Sequence, residues 1–161
     1  SWIGGVIAAY LIGIFENMLE NIIALAAFIP VILGMGGNIA TQSSTIIVRG
    51  MATGRVNIGG EIKLILKEMN VGLLLGILYG ILLGVFADIA FSNVHDYLGV
   101  VVGLSICVSM VVAATVGTII PLILRKLDID PAVATGPFVT TSIDILGVLF
   151  YFLIAGLFLS I

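Results

Sequence analysis

Tyr97 to Leu124 reads YLGVVVGLSICVSMVVAATVGTIIPLIL and contains no charged side chain. At the 1.5 Å rise of an α-helix this run reaches about 40 Å, more than the roughly 30 Å hydrocarbon core of a bilayer. Outward from it lie further uncharged runs: Trp2 to Phe15, Ile22 to Val48, Val71 to Ala87, and Pro131 to Ile161 with one interruption at Asp144. The 161 residues are 61% hydrophobic and 9% charged, against roughly 45–50% and 25% for a soluble domain. A water-soluble fold is excluded. At about 20 apolar residues per crossing, the length leaves room for five or six spans and no separate soluble domain.

The expected fold is all-α, a polytopic membrane protein with five transmembrane helices at about 2–19, 22–48, 71–91, 97–124 and 131–161 in a single domain. The first run is short, so it either borrows from Asn17 to Leu19 to cross or is cut at its start. All six Lys and Arg fall on one side of this scheme: Arg49, Arg55, Lys63 and Lys67 between the second and third spans, Arg125 and Lys126 between the fourth and fifth. The opposite connections carry Glu16 and Glu20, or Asp88, His95 and Asp96. The positive-inside bias then predicts a cytoplasmic N-terminus, an external C-terminus and a multi-pass protein of the cell (plasma or inner) membrane. The net charge of −3 comes from scattered side chains, so neither a nucleic-acid stripe nor an acidic tail is present. Lone Cys107 reads as an apolar packing residue, and His95 as a solvated loop residue, since no second His accompanies it. Ser1 is not an initiator Met and the first apolar run starts at once, so an N-terminal portion is expected to be missing.

Ile58, Ile62, Ile65, Leu66 and Met69 recur at helical spacing, with Glu61, Lys63, Lys67 and Glu68 on the other side, which predicts an amphipathic inner-surface helix over 58–69. It is a connector or a gating element. Gly72, Gly76, Gly80 and Gly84 form a four-residue repeat down one face of the third span, and Gly99 and Gly103 start the fourth. Such faces let backbones approach closely, within one subunit or between two.

Asp144 lies about thirteen residues into the last expected span, near the bilayer midplane. A charged carboxylate there costs at least about 2.5–3.5 kcal/mol on the insertion scale, so it needs a proton, water or a cation. Pro137, Thr140 and Thr141 precede it by seven, four and three residues and share its face. Asn38, Thr41, Gln42 and Thr45 make a second polar stripe on the second span. Just before them Pro30 is followed by Gly34, Gly36 and Gly37, a pattern expected to kink or open the helix and free carbonyl oxygens, or else to pack closely. Two polar stripes with a mid-membrane acid outline a cation path. Oxygen donors without Cys or His at the same depth favour hard ions such as Mg²⁺ or Ca²⁺. One Asp cannot balance a divalent charge, but a two-fold dimer supplies two. Asp130 and Asp128 stand at the inner mouth, where carboxylates concentrate cations, or serve as helix N-terminal acids. A carrier coupled to H⁺ or Na⁺, an intramembrane aspartyl protease lacking its second acid, and a purely structural subunit are the competing readings.

Two stretches, Pro30 to Gln42 (PVILGMGGNIATQ) and Asp130 to Phe152 (DPAVATGPFVTTSIDILGVLFYF), resemble the signature segments of the MgtE family of magnesium channels and transporters. The resemblance extends over the whole chain. It implies a homodimeric Mg²⁺ channel with its pore at the subunit interface, formed by the second and fifth spans. It further implies that Asp144, aided by Gly34 and Asn38, holds a hydrated Mg²⁺, with Asp130 at the cytoplasmic mouth. On this reading Mg²⁺ is the transported ion, with Mn²⁺ or Ca²⁺ able to substitute, the protein is not an enzyme, and its partners are a second copy and membrane lipids. Ala40 stands where the family pattern GGNxGTQ has glycine, which reduces the local backbone freedom. The family's soluble Mg²⁺-sensing region with paired CBS domains is not in this sequence. Mg²⁺-dependent closing is expected to weaken without it.

Overall fold

The computed structural model describes residues 2–56 and 60–159, with the backbone alone for 134 and 135. Among these residues there is no strand. The chain forms α1 (Trp2–Ile14), α2 (Glu16–Asn21), α3 (Ala24–Ala52), α4 (Glu61–Ala90), α5 (Leu98–Lys126), a 3-10 turn (Pro131–Thr135) and α6 (Pro137–Leu159). Helices α3, α4, α5 and α6 are long and apolar enough to cross a membrane, so the all-helical class and four of the five expected spans are present. With 13 residues, α1 is about 20 Å long and does not reach across a bilayer by itself.

The bundle is organised around α5, which packs against α3, α4 and α6. Contacts along each pair fix the directions. Gly72 lies against Met110 and Ala114, Gly76 against Cys107, and Gly84 against Gly99, so α4 and α5 are antiparallel. Ser109 of α5 meets Gly36 and Gly117 meets Ala40, so α3 and α5 are parallel. Gly36 meets Ile143, Gly147 meets Leu33, and the Tyr151 hydroxyl donates to the Leu25 carbonyl at 2.9 Å, so α3 and α6 are antiparallel. On the far side Gly4 faces Thr141, Phe15 stacks on Phe152 with ring centroids 4.6 Å apart, and Met18 reaches Gly156. Thus α1 and α2 together follow α6 in parallel. The outer faces are apolar: Leu74, Leu78, Ile81 and Ile89 of α4 and Trp2, Ile3 and Tyr10 of α1 are exposed. Soluble monomers avoid contiguous patches of this kind, and lipid tolerates them.

The glycine repeat of α4 is used inside the chain. A Cβ on Gly80 would stand 2.6 Å from the Gly103 carbonyl oxygen, and one on Gly84 2.8 Å from that of Gly99. At the end of this seam the Asp88 carboxylate accepts from the Gly99 N–H at 2.9 Å and so caps the first turn of α5. Cys107 sits in the same seam as a packing residue. His95 lies in the loop, where its Nδ1 accepts from the Tyr97 N–H at 3.2 Å.

Four expectations need correction. The segment read as a separate amphipathic helix is helical from Glu61, but it continues into the third span as one 30-residue helix; Ile58 lies outside the described residues. Glu68 is not on a polar outer side: it is 5% exposed and accepts from the Ser43 hydroxyl of α3 at 3.2 Å. Helix α3 does not open at Pro30 but runs unbroken through the proline and all three glycines. Burial of Phe28, Ile32, Gly36, Ile39 and Ala40 holds it helical, tertiary packing overriding the local propensity. Lastly, α6 begins at Pro137 instead of Pro131, because proline is favoured at the first helical position and Gly136 before it leaves the helical region.

Candidate ion-conducting face

On α3 one side packs and the other is bare. Ile32, Gly36, Ile39, Ala40, Ser43 and Ile47 are buried, whereas Pro30, Gly34, Asn38, Gln42 and Thr45 are exposed and follow one another at helical spacing. A Cβ on Gly34 or Gly37 would meet nothing within 4 Å. Gly37 and Thr41 are half-buried at the edge of this stripe. The Thr45 hydroxyl donates to the Thr41 carbonyl at 2.8 Å, the usual one-turn back-bond. Gly36 does not belong to the open face: a Cβ there would stand 2.9 Å from Ile143 and from Ser109. It is a packing position.

That packing contact sets the height of α3 against α6. Ile143 precedes Asp144 by one residue, and Gly36 lies midway between Gly34 and Asn38. The carboxylate-bearing turn of α6 is therefore level with the Gly34 and Asn38 turn of α3. Asp144 is half-buried, and the buried residues on either side of it, Ile143 and Gly147, take the side of α6 that packs. Because α6 starts at Pro137, Asp144 is seven residues in, about 10 Å from the helix start and about 6 Å short of its midpoint at Val148. Neither Asp144, Asn38 nor Gln42 hydrogen-bonds to another described residue. Thr140 is half-buried and its hydroxyl donates to the Gly136 and Pro137 carbonyls, each at 3.4 Å. Thr141 departs from expectation, since it packs on Gly4 of α1 instead of extending the stripe. Pro137 is exposed at the entry of α6.

At the same end as Pro137 the structure gathers all six cations. Lys126 pairs with Glu61 at 3.2 Å, and the Arg125 guanidinium donates to the Val56 carbonyl at 3.3 Å. Asp130 is exposed there and its carboxylate accepts from the Ala132 N–H at 2.9 Å, capping the 3-10 turn. Asp130 also lines a cleft of about 310 Å³ with Val48, Met51 and Arg125. Asp128 is exposed beside it, with φ of 56°, a left-handed position that Asp tolerates better than most residues. Among the described residues no group of three His, Cys, Asp or Glu could hold a metal ion. One chain therefore brings to the mid-height of the open face a single carboxylate, an amide and small residues.

Residue-by-residue reading missed the Glu68–Ser43 bond, the Tyr151 bond to Leu25 and the small-residue pocket around Ser109. Ser44, Ser105 and Ser109 are buried with hydroxyls that find no partner among the described residues. Ser109 faces Gly36 and Gly147, Ser105 lies one turn before it on α5, and that spacing was the available signal. Ser109 is a small residue that lets Gly36 of α3 and Gly147 of α6 close on α5.

The MgtE family model, described as a divalent cation transporter, matches residues 29–154. The magnesium transporter MgtE of Bacillus subtilis is 38% identical over 155 residues, covering 96% of this chain and 34% of the relative. The proteins of the same name from Thermus thermophilus and Enterococcus faecalis are 39% and 37% identical, covering 97% and 96% of this chain and 34% of each relative. The chain thus spans about a third of the length of the curated relatives it matches. A family match over most of the chain, on a bundle whose apolar helices are built to sit in lipid, makes this a multi-pass membrane protein of the MgtE family of divalent cation transporters.

Proposed function

We propose that this chain is the ion-conducting part of a Mg²⁺ channel that works as a homodimer, the open faces of α3 and α6 from two copies enclosing the pore. The observation that carries the reading is Asp144. It is the only carboxylate in the apolar length of α6, it has no described protein partner, and it stands half-buried at the level of Gly34 and Asn38, which are exposed on α3. Asn38, Gln42 and Asp144 left against lipid would each cost free energy. Water and a second copy remove that cost.

Two facing Asp144 carboxylates balance a divalent ion and accept hydrogen bonds from its water shell, which suits Mg²⁺ because it gives up water reluctantly. Gly34 and Gly37 leave room for the hydrated ion, and Asn38 offers an amide oxygen at the same height. Asp130 and Asp128 attract cations to the mouth. Mn²⁺ or Ca²⁺ is expected to enter the same path, with Ca²⁺ held less selectively. The α1 and α2 segments, following α6 from Thr141 to Gly156, act together as a fifth crossing. The six-to-zero bias of cations supports a cytoplasmic N-terminus and a cytoplasmic Asp130 mouth.

The test is Asp144→Asn in proteoliposomes. Mg²⁺ uptake is expected to vanish while the dimer keeps its size and helicity, and unchanged uptake would remove the proposal. Flux that requires an H⁺ or Na⁺ gradient would show a coupled carrier in place of a channel.

A further inference from the structure

Helix α3 ends in a reversal that folds the chain back over its last turn. Gly54 takes the left-handed conformation, φ 69°, which glycine adopts without steric cost. Its N–H donates to the Met51 carbonyl at 3.1 Å, while the Arg55 and Val56 N–H groups donate to the Gly50 carbonyl at 2.9 and 3.1 Å. This is a Schellman turn. It needs Gly50 as well, because a Cβ there would stand 2.7 Å from Val56 Cγ2. The turn brings Arg55 back to the level of Arg49, opposite the second turn of α4.

Between these segments is a cavity of about 390 Å³ whose walls include Arg49, Arg55 and Lys67 over Ile46, Ile47 and Leu64. Among the described residues no carboxylate lines it. The two acids nearest on α4 are engaged elsewhere, Glu61 with Lys126 and Glu68 with Ser43, each at 3.2 Å. None of the three cations makes an ion pair or a side-chain hydrogen bond with a described residue. At the end of α3 the Arg49 and Gly50 carbonyls are already taken by Thr53, Arg55 and Val56. Three like charges around one concavity repel, and an anion placed between them reverses the sign of that energy. Ile46, on the wall, is 55% exposed, and Leu66 beside Lys67 is 48% exposed. An apolar surface therefore leads away from the charged cavity along the bundle.

We infer that this pocket binds the phosphate of an acidic phospholipid, with Arg49, Arg55 and Lys67 around the headgroup and an acyl chain lying along Ile46. Guanidinium groups match phosphate oxygens in fork geometry, and basic pockets between membrane helices at the cation-rich side are suited to such headgroups. The apolar exit favours a lipid over a free phosphate ester. The inference does not depend on how Asp144 works.

The test is native mass spectrometry of the detergent-solubilised protein titrated with dioleoylphosphatidylglycerol, dioleoylphosphatidylethanolamine or free glycerol 3-phosphate. The unsubstituted protein is expected to retain one phosphatidylglycerol per chain and to prefer it over phosphatidylethanolamine. Arg49→Gln with Arg55→Gln is expected to weaken that binding on the order of tenfold or more, whereas Lys63→Gln, at a cation outside the pocket lining, leaves it nearly unchanged. Arg55→Gln alone, whose side chain bonds to nothing described, repeats the test with less risk to folding and is expected to weaken binding several-fold. A loss in Lys63→Gln equal to that in Arg55→Gln would reduce the pocket to diffuse surface charge. Undiminished binding in both pocket variants, equal retention of the zwitterionic lipid, or equally tight binding of free glycerol phosphate would overturn the inference.

Discussion

The seam between α4 and α5 and the open face of α3 are both rich in glycine, yet the glycines do opposite things there. In the seam, a Cβ at Gly76, Gly80 or Gly84 would come within 3 Å of α5 backbone, so the missing side chains are what let two helices touch. On the open face, a Cβ at Gly34 or Gly37 would meet nothing, and the neighbouring residues are Asn38, Thr41 and Gln42 instead of Leu and Ile. The seam uses small residues to exclude solvent. The open face uses them to leave room for it.

This contrast can be broken by substitution. The largest expected effect is at the seam, where Gly80→Leu drives a branched side chain into the Gly103 backbone; monodisperse protein should fail to accumulate on size-exclusion chromatography. Next is Ser43→Ala, which leaves the buried Glu68 carboxylate without its described partner and should cost about 1–3 kcal/mol in thermal unfolding. Tyr151→Phe removes the hydroxyl bond that ties α6 to α3, for an expected loss of about 1 kcal/mol, or a fall of about 2–4 °C in Tm. Lys126→Ala breaks a largely exposed ion pair, with 64% of the lysine side chain accessible, so the Tm should fall by no more than about 2 °C. The smallest loss of stability is expected on the open face. Gly34→Ala should hold or raise the Tm, since alanine favours the helix by about 1 kcal/mol, while Mg²⁺ flux falls several-fold because the added methyl group intrudes on the hydrated ion. A Gly34→Ala protein that melts early with normal flux would erase the distinction between the two regions.

The long helices were legible because lipid imposes a simple rule: an uncharged run of sufficient length has nowhere else to go. Their ends were harder to read. Periodicity in Ile62, Leu66 and Met69 reports a helix but not whether it bends before the next run, and in α4 it does not. The start of α6 carried a readable sign in Gly136–Pro137, a breaker followed by a helix-starting residue, which the unbroken hydrophobicity after Pro131 obscured. Pro30 misled in the opposite way, because the strength of its neighbours' packing is a tertiary quantity. Of the proposed site, Asp144, Asn38 and Gln42 stood out by polarity in an apolar setting and Gly34 through the family resemblance, and all four fall on exposed or half-exposed positions. Gly36, grouped with Gly34 and Gly37 as a helix-weakening glycine, faces Ile143 and Ser109, and Thr141, at the right spacing from Asp144, is covered by Gly4 of α1; only the neighbouring helices decide which edge is covered. Glu68 looked solvated for the same reason: its partner lies on another helix.

The most direct measurement is a crystal structure of the proposed dimer grown with Mn²⁺, located by its anomalous scattering. A peak on the two-fold axis between the paired Asp144 carboxylates, level with Asn38 and separated from them by ordered water, is the expected result. Paired Asp144 side chains that face away from any passage, with Mn²⁺ absent from the axis, would contradict the account.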